Sequence, residues 1–376
     1  MKILSLQPYC GGSHKYVMDA LQQYSRHEWY VLQLPPKKWQ WRMQHAALTF
    51  ADWLTEPPHN NEAVDCGLAF CTDMMNLAAF RGLAPAWAAH LPTVIYFHEN
   101  QFAYPARNSR QQKENAAYGF INMLSGVAAD EVWFNSAHNR DSFLEGCRQH
   151  LDNAPDHPPQ SACKVIRDKS RIVYPGIHLP PDNYWQNNVA GPLKIAWAAR
   201  WEYDKGPEIF FQALDKLKTQ GVDFRLSVLG EQFGKWPKIF DWAAEHFRDN
   251  IEAWGFEHSR ERYYDWLQSS DVIVSTAHHE FFGISIMEGA ACGAFPLLPD
   301  KLSYPELFPT CPEVFYNGTV ENLAEKLKHI AANLKNPPNH DWLESISKTR
   351  ETAQAFDWRT RVAEIDSRLD KILLTT

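Results

Sequence analysis

Tyr174-Pro175-Gly176-Ile177-His178-Leu179-Pro180-Pro181-Asp182-Asn183 interrupts the chain near its middle, and Leu193-Lys194-Ile195-Ala196-Trp197-Ala198 then opens a second run of ordered sequence. Proline fixes φ and removes a donor, and clustered Pro, Gly and Asn favour turns, so residues 181–192 read as a linker. On both sides of it, short apolar runs alternate with longer helical patterns. Before it, strands are expected at Lys2–Gln7, Trp29–Leu34, Cys66–Cys71, Thr93–Phe97, Glu131–Asn135 and Arg171–Tyr174. After it they are expected at Leu193–Ala198, Phe224–Leu229, Ile251–Ala253, Asp271–Ser275, Ala294–Leu298 and Val314–Tyr316. Two such alternations predict an α/β protein with two parallel, doubly wound sheets. The expected domains are 1–180 and 193–355. Helical sequence follows at 319–333, 341–354 and 357–372, and the segment 356–376 is placed to pack back on the first domain. Asn135-Ser136 and Thr72-Asp73 are expected to cap helices.

With 376 residues the chain is longer than one core usually serves. Its 45% hydrophobic and 22% charged residues belong to a folded globular protein. No stretch approaches the ~20 apolar residues that span a bilayer. The start, Met1-Lys2-Ile3-Leu4-Ser5-Leu6, turns polar at once, unlike a secretory signal. Seven scattered Cys form no CxxC pair, which argues against a zinc knuckle or a disulfide framework. A reduced, cytoplasmic protein is expected. Residues 1–180 hold 16 Lys and Arg against 16 Asp and Glu, so the net charge of −8 lies entirely in residues 181–376. An acidic second half is a poor nucleic-acid surface, and any RNA contact is expected in the first.

Ligands of open α/β sheets bind outside the carboxyl ends of the strands. Chemistry-bearing residues gather there. His279-Glu280-Phe281-Phe282-Gly283-Ile284-Ser285-Ile286-Met287-Glu288-Gly289-Ala290 follows an expected strand and opens a helix. Gly283 permits close backbone approach, and unsatisfied N–H groups at a helix start favour a phosphate. Glu280 lies in the loop; Glu288 lies on the helix, where it can accept from ribose hydroxyls. Arg200-Trp201-Glu202-Tyr203-Asp204-Lys205-Gly206-Pro207 follows the first strand after the linker, with Pro207 suited to a first helical turn. Tyr96-Phe97-His98-Glu99-Asn100-Gln101 ends a strand of the first half, and Cys10-Gly11-Gly12-Ser13-His14-Lys15 follows the first strand. The latter lacks the third glycine of a dinucleotide fingerprint.

Three cation clusters lie in the first half: Lys37-Lys38-Trp39-Gln40-Trp41-Arg42; Arg107, Arg110 and Lys113; and Lys164, Arg167, Lys169 and Arg171. Each alone suits a solvated face. Together, and with Trp39 and Trp41 among them, they suit a polyanion with exposed bases. No acidic pair suited to a catalytic metal is found, and His278-His279 are adjacent, without helical spacing for zinc.

The Glu280…Glu288 spacing and the Arg200…Lys205-Gly206 element resemble the E-x7-E and R-x4-K-G motifs of glycosyltransferase family 4, retaining enzymes of the GT-B fold. The resemblance implies two Rossmann-like domains facing a cleft and a nucleotide-sugar substrate with no metal cofactor. It implies that Glu280 contacts the donor sugar and Glu288 the ribose. The N–H groups of Phe282, Gly283 and Ile284 would hold the diphosphate, Arg200 and Lys205 would neutralise it, and His98 would lie near the reacting centre. The Gly11-Gly12 loop would border the donor diphosphate and the acceptor. A narrower likeness, carried by Gly11–Lys15, Leu34–Arg42 and Phe97–Gln101, is to the branch that mannosylates queuosine in tRNA. It implies GDP-mannose as donor and queuosine in a tRNA anticodon as acceptor. His14, Lys15, Lys37, Lys38, Trp39, Trp41, Arg42, Asn100, Arg107 and Arg110 would then face the acceptor. Three other readings stand beside it: a family 4 enzyme with another donor and a small-molecule or lipid acceptor, a non-catalytic RNA-binding protein on the same scaffold, and a GT-B epimerase or phosphorylase acting without an acceptor or with phosphate.

Overall fold

The structure, a computed structural model, describes residues 1–106, 108–180, 191–232, 234, 236–334 and 340–375. Most of the expected linker and Arg107 therefore lie outside the described residues. The chain divides into two compact units, Met1–Gly176 with Trp358–Thr376, and Ile177–Asp357.

The first unit is built on six parallel strands, β1 (Lys2–Gln7), β2 (Glu28–Gln33), β3 (Leu68–Thr72), β4 (Thr93–Phe97), β5 (Glu131–Phe134) and β6 (Ser170–Ile172), in the order β2-β1-β3-β4-β5-β6. The second carries β7 (Leu193–Ala198), β8 (Phe224–Leu229), β9 (Ile251–Gly255), β10 (Val272–Val274), β11 (Phe295–Pro299) and β12 (Phe315–Tyr316), in the order β12-β11-β10-β7-β8-β9. All twelve expected strands form, each displaced by no more than a few residues. Both are doubly wound α/β sheets of the Rossmann-like kind, with switch points between β1 and β3 and between β7 and β10.

Alternation along the strands fills both faces of the first sheet. Leu4, Leu6, Ile95, Phe97, Val132 and Phe134 pack into one core cluster. Ile3, Phe70, Val94, Tyr96 and Trp133 pack into the other, joined there by Trp358, Val362, Ile365 and Leu369 of the last helix, Trp358–Thr375. Asp366 of that helix accepts from Ser25 Oγ at 2.6 Å and from the Arg26 N–H at 2.9 Å. The last helix thus completes the first core, although it follows the second unit in sequence.

Ser136 caps the helix Ala137–Asp152 by accepting the Asn139 N–H at 3.0 Å. Thr72-Asp73 does not cap: Asn76 starts the next helix by accepting from Ala79 N, and Asp73 turns instead toward β4. Among the described residues no helix is long and apolar enough to cross a membrane.

Candidate functional site

In the second unit, the loops after β7 and β10 meet at the switch point. A short turn, Tyr203–Lys205, is strapped to the loop after β10 by the His278 N–H donating to the Asp204 carbonyl at 2.8 Å. Thr276 Oγ1 donates to the Lys205 carbonyl at 2.9 Å and receives the Trp197 indole N–H at 3.2 Å. Gly206 has φ +61°, and a Cβ there would lie 2.2 Å from the Thr276 carbonyl oxygen; only glycine fits. Pro207 then starts the helix Pro207–Thr219.

This packing delivers the Lys205 ammonium into a buried position. It donates to the His279 carbonyl at 2.9 Å and to Glu280 Oε2 at 3.2 Å, with Asp204 Oδ2 at 3.3 Å. Burial pushes the Glu280 carboxyl up and the Lys205 ammonium down. Their attraction overrides both, so Glu280 sits below and Lys205 above its ordinary range, and Asp204 is held low by Lys205, Arg200 and His279 against the same burial. Arg200, exposed at the same edge, approaches Glu202 at 3.5 Å.

Gly283, at φ +88°, starts the helix Ile284–Ala291, and Ser285 Oγ anchors that start to the Ala198 carbonyl at 2.6 Å. The first-turn N–H groups of such a helix have no intrahelical acceptor. Phe282, Gly283 and Ile284 thus lie at the start of that helix. Glu288, one turn further on, accepts from Arg260 (3.1 Å), Tyr263 OH (3.2 Å) and Tyr264 OH (3.1 Å). Sequence reasoning missed this trio. Its signal was present: residues 260, 263 and 264 share one face of the helix Arg260–Gln268.

At the carboxyl edge of the first sheet the residues are polar and mostly uncharged. His98 follows β4; its ring lies 4.2 Å from that of His14 and edge-on to Tyr96 at 4.7 Å. Burial and the neighbouring His14 push its imidazole well below the ordinary range, so it is neutral. The His98 N–H donates to Asp73 Oδ1 at 2.9 Å, and its carbonyl accepts from Asn135 at 2.8 Å. Asp73 is fully buried; burial first and the Glu99 charge second raise its carboxyl well above the usual range.

Several expected contacts are revised here. Asn100 is fully buried, its amide donating to Asn139 and Ser142 and its oxygen accepting the Ala103 N–H, so it shapes the loop and is not offered to an acceptor. Gly11 is explained by the chain itself: a Cβ would lie 2.3 Å from Pro36 Cβ. Gly12, by contrast, has φ +52° and open space around it. Trp39 is half-buried against Tyr118 at 5.1 Å and Tyr104 at 6.4 Å. Trp41 is exposed and stacked on His45 at 4.8 Å, beside Arg42, which donates to the Pro35 carbonyl. Lys37 and Lys38 are exposed. Lys15 pairs with Asp19 and Arg110 with Glu114, both at the surface. The basic run near 164–171 is largely spent locally: Lys164 on Asp168, Lys169 on the Val127 and Ala129 carbonyls, Arg171 on the Ser170 carbonyl. Among the described residues no group of three or more His, Cys, Asp or Glu could hold a metal.

Comparison with known proteins bears on both units. Residues 2–177 match the family described as tRNA-queuosine alpha-mannosyltransferase N-terminal, and residues 185–344 match glycosyl transferases group 1. Over 335 residues the chain is 34% identical to the tRNA-queuosine alpha-mannosyltransferase of Drosophila melanogaster, covering 86% of this chain and 85% of that protein. The chain belongs to the tRNA-queuosine alpha-mannosyltransferase family. It is accordingly a glycosyltransferase, and the reading as a non-catalytic scaffold is set aside. Solved structures agree on the fold. Sucrose-phosphate synthase from Thermosynechococcus elongatus superposes with a TM-score of 0.71 at 13% identity, covering 100% of this chain and 99% of that one. Anabaena HepE in complex with UDP superposes with a TM-score of 0.68 at 15% identity, covering 98% and 99%. These likenesses establish the GT-B fold class for a chain of this family.

Proposed function

We propose that the protein transfers mannose from GDP-mannose to queuosine in a tRNA anticodon, with retention of configuration, in the cytoplasm. The observation that carries this reading is the 34% identity, over most of both chains, to a protein bearing that activity in its name. The residue chemistry supports it. In the second unit, Arg200, Lys205 and the helix start at Gly283 supply positive charge for a departing diphosphate, a role that needs no metal. Glu288, held by two tyrosines and Arg260, suits ribose hydroxyls. Glu280, kept ionised by Lys205, suits hydroxyls of the donor sugar.

In the proposed reaction the bond between the sugar C1 and the diphosphate oxygen breaks through an oxocarbenium-like transition state. The acceptor hydroxyl attacks the same face, and its proton passes to the leaving diphosphate. Charge growing on that leaving group is what Arg200 and Lys205 stabilise. Neutral His98, in the first unit, suits a hydrogen bond to an uncharged hydroxyl. The exposed Trp41 with Lys37 and Lys38 suits the anticodon strand, cations meeting phosphate and the ring meeting a base.

The test is mass spectrometry of nucleosides from queuosine-containing tRNA incubated with the protein and GDP-mannose. A hexose-sized mass gain on queuosine, absent with Glu280→Ala, is expected. Intact queuosine and intact GDP-mannose would redirect the search to other donors and acceptors of the same fold.

A further inference from the structure

Tyr264 lies on the helix Arg260–Gln268, buried, with its hydroxyl between two acceptors. It is 3.1 Å from Glu288 Oε1 and 2.8 Å from the carbonyl oxygen of His178. Arg260 donates to the same hydroxyl at 3.1 Å. Burial first, and the Glu288 charge second, raise the phenol above its ordinary range, so it keeps its proton. That one proton cannot fully serve two acceptors. Its division between them follows how strongly each one draws it.

His178 stands where the second unit begins. Beside it, the buried Ile177 donates its N–H to the Phe356 carbonyl at 2.7 Å and pairs in parallel with Asp357. The second unit runs from Ile177 to Asp357, so this short pairing joins its first residues to its last. Tyr264 therefore touches, with one hydroxyl, both the carboxylate suited to a ribose and the join of the unit's two ends.

We propose that Tyr264 is a positioning residue through which a nucleotide bound at Glu288 strengthens the pairing of Ile177 with Phe356 and Asp357; this rests on the reading of the second unit as the nucleotide-sugar site. Ribose hydroxyls that donate to Glu288 lessen its draw on the Tyr264 proton, which then goes to the His178 carbonyl. The residue next to the Ile177–Phe356 bond is held more firmly, and local opening of the pairing becomes rarer. Linkage makes the effect reciprocal: a firm pairing favours the nucleotide by the same factor. Tyr263 supplies an internal contrast, since its hydroxyl donates to Glu288 Oε2 at 3.2 Å while the His178 carbonyl accepts from Tyr264.

The experiment is amide hydrogen exchange at Ile177 in the full chain, without ligand, with saturating GDP, and with saturating dideoxy-GDP, which lacks both ribose hydroxyls. Calorimetry establishes occupancy in each case. In the parent, GDP should slow exchange about three- to tenfold, the weight of one hydrogen bond, and dideoxy-GDP should leave it unchanged. Tyr264→Phe should bind GDP and lose the protection, whereas Tyr263→Phe should keep it. Equal protection by the two ligands, protection that survives Tyr264→Phe, or its loss in both tyrosine variants overturns the proposal. So does GDP bound to the parent without protection. Should Tyr264→Phe fail to fold, the two ligands decide the matter in the parent. Failure of GDP to bind the parent instead overturns the nucleotide reading itself.

Discussion

The two units repeat one architecture and present opposite electrostatics at the same place. At the switch point of the second sheet, Lys205 sits buried between Glu280 and Asp204, with exposed Arg200 beside them. At the switch point of the first, neutral His98, its ring 4.2 Å from that of His14, lies beside a buried Asp73 whose carboxyl is raised well above its usual range by burial. A parallel sheet supplies converging loop starts in both cases, but it does not choose their charge. The choice lies in what is buried with each group. A lysine enclosed with two carboxylates stays charged, because mutual attraction exceeds desolvation. A histidine enclosed with another histidine does not. The second edge therefore suits the diphosphate we propose for it, and the first an uncharged polar partner.

The largest break in this contrast should come from the charged edge. Arg200→Ala removes an exposed guanidinium, so thermal stability should hold while hexose transfer falls on the order of 100- to 1,000-fold. Lys205→Met should abolish transfer and also cost about 3–5 kcal/mol, because it leaves Glu280 and Asp204 buried without their partner. Chemical denaturation beside single-turnover assays separates the two; an Arg200→Ala protein with full turnover would sink the diphosphate assignment. Next comes Gly283→Ala. A Cβ there would lie 3.1 Å from Tyr304 in a left-handed conformation, so about 1–2 kcal/mol of stability and much of the donor affinity should be lost. Calorimetry with GDP reads both.

A smaller effect sharpens the comparison through pH. Glu280 has a depressed carboxyl, so its contribution to stability is present above the ordinary glutamate range and is lost as pH falls through its lowered value. Asp73 has the opposite sign: its raised carboxyl takes a proton more readily folded than unfolded, so the parent loses stability as pH rises from about 4 toward that raised value. Asp73→Asn keeps an acceptor for the His98 N–H. It should gain on the parent with rising pH, and a pH series of urea midpoints that runs parallel for the two proteins would contradict this. The smallest effect is expected at the surface. Trp41→Ala with Lys37→Ala should raise KM for tRNA about tenfold and flatten its salt dependence, leaving GDP affinity alone.

Much of this was legible in the chain. Twelve apolar runs in two alternating series identified every strand, because buried parallel strands must be nearly continuous in Val, Ile, Leu and aromatics. The motifs after β7 and β10 could be read as a pair because both resemble motifs of one family, and the structure brings them together because β7 and β10 are neighbours at the switch point. Glu99 was not singled out, and Asp73 was read only as part of a helix cap. Adjacent residues in a loop look alike in sequence, and whether Glu99 or Asn100 reaches solvent depends on Asn139 and Ser142, roughly forty positions away.

The sequence by itself determined the two doubly wound sheets, their strands and the residues at their carboxyl ends, since local periodicity and turn chemistry act over a few neighbouring residues. Only the tertiary structure decided which of those residues keep a charge and which are enclosed. Trp358–Thr375 completing the core of the first unit, and Lys205 lying between Glu280 and Asp204, are likewise tertiary outcomes. Burial and pairing are set by partners distant in the chain, and they govern the energy of a charge far more strongly than the residues beside it do.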